Sequence, residues 1–99
     1  MYLTQDITTE NRRLYLLKTL VVSANYRMSD LLLQAALDRI GYGVSMAVLR
    51  RDLSCLQDLG LITTEALGDM TLALLRQEGL DVAGGLTTVP GIAQPGPRN

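Results

Sequence analysis

The sequence predicts a mainly α-helical domain with a small β-hairpin: three helices, a two-stranded hairpin and a short C-terminal helix. Three observations lead there. Leucine recurs at helical spacing in three separate stretches. A serine or threonine able to cap a helix stands ahead of each stretch, and a glycine closes the second and third. After Gly60 the pattern changes to short alternating runs on either side of a glycine-containing turn, as a hairpin requires.

Met1 to Gln5 is partly apolar through Tyr2 and Leu3, and fits either a loose arm or an extra helical turn docking on a partner subunit. Thr8 or Thr9 caps the first helix, with Glu10 near its positive N-terminal end. Leu14, Leu17, Leu20 and Val21 give residues 10–23 one apolar face. Arg12, Arg13 and Lys18 fall largely off that stripe, so solvent is their expected surrounding and phosphate contact the lesser alternative. Asn25-Tyr26-Arg27 interrupts the pattern. Ser29 caps the second helix, Asp30 lies in its first turn, and Gly41 stops it after Ile40. Its run Leu31-Leu32-Leu33-Gln34-Ala35-Ala36-Leu37 is apolar around most of the circumference. That predicts burial on more than one side, between the other helices or partly in a dimer interface.

The Gly41-Tyr42-Gly43 turn leads to the third helix, capped by Ser45 and closed by Gly60. Leu61 to Glu65 is the first predicted strand, Ala66-Leu67-Gly68-Asp69 a tight turn, and Met70 to Leu74 the returning strand. In that strand Met70, Leu72 and Leu74 alternate against Thr71 and Ala73. Arg76 to Ala83 forms a short last helix interrupted by Gly79. Beyond Gly85 come all three prolines, Pro90, Pro95 and Pro97, which predict an extended or disordered tail outside the core, with Val89 and Ile92 as possible anchors. The expected organisation is an arm over 1–9, a folded domain over 10–85 and a Pro/Gly-rich tail over 86–99.

On a helical wheel Met46, Leu49, Leu53 and Leu56 group on one side of the third helix. Ala47, Arg50, Arg51, Ser54 and Asp58 group opposite, while Asp52 projects to the side. A DNA-reading helix needs such a face: guanidinium forks for guanine edges or phosphates, and nothing bulky to block the major groove. Three helices and a hairpin in this order make a winged helix-turn-helix, with the third helix presented to the duplex. The hairpin tip carries only Asp69 and no Lys or Arg, so this wing is not expected to read DNA strongly.

Composition limits the other classes. Ninety-nine residues, 47% of them hydrophobic, suffice for one domain with a modest core. Phe and Trp are absent, so aliphatic side chains must build that core. The net charge of −1 is not that of a chain held on nucleic acid by bulk electrostatics, and any DNA contact must be a local patch. One cysteine, Cys55, and no histidine exclude an intrachain disulfide and leave almost no soft metal ligands, so no metal or cofactor is expected. There is no activated nucleophile, phosphate loop or convincing carboxylate pair, and an enzyme is not expected. No stretch reaches membrane-span length and no basic n-region precedes an apolar run, so a cytoplasmic protein without membrane contact is the expectation.

The run Val44-Ser45, Leu49, Leu53, Leu56, Gly60-Leu61-Ile62 resembles the recognition-helix pattern of ArsR and MarR transcriptional regulators. Leu74-Leu75-Arg76-Gln77-Glu78-Gly79 is similar to the segment that follows the wing in MarR-like domains, with Leu75 in place of a threonine. Over residues 10–95 the chain resembles a small winged-helix protein of Mu-like phages and prophages. There the Leu-Leu-Leu-Gln-Ala-Ala-Leu helix, the Leu-Arg-Arg-Asp-Leu run and a Val-Pro-Gly tail recur. The paired cysteines or histidines of ArsR metal sensors are missing, and so are the long terminal helices and basic wing of MarR proteins.

The resemblance implies a fold and a presented helix, with Ser45, Met46, Ala47, Arg50, Arg51 and Ser54 as the DNA-binding residues. It implies double-stranded DNA as partner and transcription regulation as the role. A homodimer would set two such helices about one DNA turn apart, with the second helix and the Tyr2-Leu3 arm as its interface. The alternative is a protein–protein adaptor in phage assembly or packaging, favoured by the acidic balance, the cation-free wing and the Pro/Gly tail.

Overall fold

Nothing in the first 21 residues breaks a helix, since neither Gly nor Pro occurs there. Helix α1 accordingly runs over Tyr2–Val21, and Thr8 and Thr9 lie inside it rather than at its cap. In this computed structural model the backbone is described for residues 2–96 and the side chains for 7–96. The expected docking of Tyr2 and Leu3 side chains falls outside the described residues. Strand β1 follows at Arg27–Ser29, then α2 at Asp30–Arg39, α3 at Met46–Asp58, β2 at Ile62–Leu67, β3 at Met70–Leu75 and α4 at Gln77–Ala83.

The sheet has three strands, not the two expected, in the order β1-β3-β2 and all antiparallel. Three residues are too few to show a period of two, so β1 leaves no trace in the sequence pattern. It exists because β3 offers it a free edge: Arg27 pairs with Leu74, Met28 with Ala73 and Ser29 with Leu72. Asn25 and Tyr26, at φ 57° and 58°, swing the chain from the end of α1 into this strand. The left-handed region suits asparagine but strains a tyrosine, so the β1 pairing must hold Tyr26 there.

The hairpin joins Leu67 to Met70 through the two-residue turn Gly68-Asp69. Gly68 has φ +60° at the first central position, the requirement of a type II′ turn. Of the two alternating sets in β3, the less apolar one faces inward. Ala73 is fully buried and Leu75 packs against the core, whereas Met70 is exposed and Leu72 and Leu74 are half-buried on the outer face. Register explains this. Ile62, the buried start of β2, lies opposite Leu75, so Leu75, Ala73 and Thr71 share its face.

Four leucines of α1 (Leu14, Leu16, Leu17, Leu20), two of α2 (Leu33, Leu37) and three of α3 (Leu49, Leu53, Leu56) meet in one core with Leu61, Ile62, Val82 and Ile92. Each such side chain contributes about 1.5–3 kcal/mol by leaving water. The second helix lies against both α1 and α3, as one of the two expected placements requires. It buries only the face carrying Asp30, Leu33 and Leu37, and leaves Leu31 and Leu32 more than half exposed. Only α1, α3 and the sheet are there to cover it.

Helix α4 runs through Gly79 without a break. A Cβ at this glycine would collide with the Leu61 carbonyl oxygen, so the residue permits close helix–strand approach rather than interrupting the helix. The Arg76 amide donates to that same carbonyl at 3.0 Å. The segment after Gly85 is docked and not wholly outside the core, and it is held by the two residues expected as anchors, Val89 and Ile92. Ile92 is buried, Val89 and Ala93 pack beside it, and the Ala93 amide donates to the Glu10 carbonyl at 3.2 Å.

Candidate nucleic-acid interface

Helix α3 is built to present one side. The Ser45 hydroxyl accepts from the Val48 amide at 3.2 Å, as its capping role requires. Upstream, Gln34 on α2 donates to the Val44 carbonyl at 3.0 Å, fixing the turn through which α3 departs from α2. Leu49, Leu53 and Leu56 face the core, so Ala47, Arg50, Arg51, Ser54 and Asp58 are held outward and exposed. Met46 does not join them. It is half-buried and packs on the core, as its position on the leucine side of the wheel dictates.

Asp52 lies inward rather than to the side. It is 2% exposed, and its carboxylate accepts from Arg12 Nε at 2.5 Å, from Arg12 Nη2 at 3.2 Å and from Arg13 Nε at 3.0 Å. The expectation that Arg12 and Arg13 stand in solvent is therefore overturned: Arg12 is buried, and Arg13 also reaches the Gly91 carbonyl at 3.5 Å. A buried carboxylate needs such a partner, and α1 supplies two. For the outer face the consequence is simple. The one carboxylate in the middle of α3 is neutralised behind it.

The two arginines of the presented face differ. Arg51 is exposed and makes no hydrogen bond or ion pair among the described residues. Arg50 donates through Nε and Nη2 to Asp30 Oδ2 at 3.0 and 2.7 Å, and through Nη2 to the Asp69 carbonyl at 3.0 Å. It thereby ties α3 to the first turn of α2 and to the hairpin tip. Asp30 is fully buried, and its Oδ1 has no partner. Sequence reasoning missed Asp30, Arg12 and Arg13 because their partners lie 20 to 40 residues away. The acidic residue beside a capping serine suggested only a helix-end charge.

The hairpin carries Glu65 and Asp69 and no cation between Ile62 and Leu75, so positive charge at this surface comes from the helices. Cys55 is a half-buried free thiol. Among the described residues no three of His, Cys, Asp and Glu come together as metal ligands would, and no helix is long and apolar enough to cross a membrane.

Across 93 residues the chain is 38% identical to a protein of Escherichia phage Mu, "Uncharacterized protein gp26", covering 94% of this chain and 96% of that relative. The chain belongs to the Mu gp26 family. The phage kinship implied by the sequence resemblance is thus shown. No family model and no solved structure matches the chain. In this gp26-family protein the geometry of α3 carries the functional argument, since the relative's name states no activity.

Proposed function

We propose that this gp26-family protein binds double-stranded DNA through α3, on a winged helix-turn-helix plan, as a phage or prophage transcriptional regulator. The order α1-β1-α2-α3-β2-β3-α4 fits that plan, with α2 and α3 as the helix-turn-helix and β2-β3 as the wing. The observation that carries the reading is the outer face of α3. It offers Arg51 without a competing partner, small residues at Ala47 and Ser54, and Asp52 turned away and neutralised. Three arginines, Arg12, Arg13 and Arg50, pair with two buried carboxylates, Asp30 and Asp52, so that on the exposed side Arg51 is opposed only by Asp58 at the far end of the helix.

A monomer making a few phosphate contacts binds weakly at physiological salt. A homodimer spacing two α3 helices about 34 Å apart would bind usefully, and exposed Leu31 and Leu32 on α2 are its candidate interface. Fluorescence anisotropy with labelled duplex tests the reading. Affinity is expected to fall by at least about tenfold between 50 and 200 mM salt. Arg51→Glu is expected to abolish binding at unchanged melting temperature. Absence of salt-dependent duplex binding by the parent chain sinks the proposal.

A second reading, a protein-binding adaptor in phage assembly or packaging, is favoured by the hairpin. Its outer face combines exposed Leu67 and Met70 with Glu65 and Asp69, a surface better suited to a protein than to a phosphate backbone. Leu67→Lys with Met70→Lys discriminates. The pair should strengthen duplex binding if the hairpin flanks DNA, and leave it unchanged if the hairpin faces a protein.

A further inference from the structure

The two adjacent arginines of α3 cannot play the same part, and the difference is set by donor supply. A guanidinium has five N–H groups: one on Nε and two on each terminal nitrogen. In Arg50 the Nε–H and Nη2 are both taken up by Asp30 Oδ2, and Nη2 also serves the Asp69 carbonyl. Only Nη1 remains without a partner among the described residues. A guanine edge is read by two nitrogens side by side, meeting O6 and N7 together. Arg50 has one to offer.

Arg50 is not easily released for that purpose. Asp30 is fully exposed to no solvent, being 0% accessible, and Arg50 is the side chain that donates to it. Its other oxygen is already unpartnered. If Arg50 swung out to a base, a buried carboxylate would lose its counter-charge, a heavily unfavourable state. Arg51 faces no such constraint, since all its donors are uncommitted among the described residues.

We propose that Arg51 is the base-reading arginine of α3, directed at a guanine in the major groove, and that Asp30 is a positioning residue holding Arg50 as a latch between α2, α3 and the hairpin tip. Arg50 then gives DNA at most a single-point contact through Nη1, suited to one phosphate oxygen. The assignment rests on the DNA-binding reading above. Its latch half has a readout that needs no DNA.

The experiment selects preferred duplexes from a randomised pool with the parent chain, then measures binding to the selected site and to its single-base variants. Arg51→Lys keeps the charge but loses the fork. It is expected to lose about fivefold or more of the discrimination at one guanine position, at unchanged melting temperature. Arg50→Lys and Asp30→Asn are each expected to keep the base preference and to lower the melting temperature by about 5 °C or more. Their stability losses should be non-additive in the double variant, as for two ends of one contact. Loss of base preference in Arg50→Lys with an intact one in Arg51→Lys overturns the division of roles. Additive or negligible stability losses overturn the latch. A parent chain that binds no duplex overturns the DNA reading and the base-reading role with it, while the stability cycle still decides the latch.

Discussion

Asp52 on α3 and Gly79 on α4 each owe their role to a contact with a distant part of the chain, Asp52 with α1 and Gly79 with the Leu61 carbonyl. Asp52 sits beside two arginines in sequence, Arg50 and Arg51, yet its partners are Arg12 and Arg13 from α1. Asp52→Ala leaves Arg12 buried without a counter-charge, and a loss of about 3–5 kcal/mol in chemical denaturation is expected. A loss below about 1 kcal/mol, the range of a solvent-exposed pair, would show that water replaces the carboxylate. Gly79 looked like a break in the last helix, but it is a contact. Gly79→Ala puts a methyl against the Leu61 carbonyl, and overpacking of about 1–3 kcal/mol is expected even though alanine is the better helix former. A stabilised variant would mean that α4 can shift away from β2 at little cost. Neither outcome can be deduced from the residue's own neighbours in sequence.

At the scale of elements, the signals that proved legible were local ones. Ser29 and Ser45 accept from the amides three residues on, and Gly68 turns the hairpin, as the sequence indicated. Ser45→Ala is expected to cost about 1 kcal/mol in thermal or chemical unfolding, and Ser45→Gly only a few tenths. Equal losses for the two would mean that the hydroxyl does something other than cap α3. The missed element, β1, is a strand only because β3 pairs with it, and the inward face of β3 is likewise set by its partners. Met70, Leu72 and Leu74 look more apolar than Thr71, Ala73 and Leu75, but burial of Ile62 opposite Leu75 chooses the face. Alternation identifies a strand; it does not say which side the core is on.

On the scale of the molecule, the C-terminal segment is a working part of the fold. Ile92 fills the core beside α1, and Arg13 joins the Asp52 network to the Gly91 carbonyl. Ile92→Ala is expected to cost about 2–5 kcal/mol, and removal of residues 89–99 at least as much, measured by thermal unfolding. An unchanged melting temperature in the truncated chain would show that the tail merely rests on α1. By itself the sequence determined where α2 and α3 cap, where the hairpin turns and which leucines of α3 face the core. Those features depend on spacing and on backbone requirements within a few residues. Only the tertiary structure decided which charges on α1, α2 and α3 are buried and with whom. It set Arg50 apart from Arg51, drew β1 into the sheet and brought Ile92 home. The physical reason is that an ion pair or a strand pairing across 20 to 40 residues depends on how the elements pack, and neighbouring residues carry no record of that.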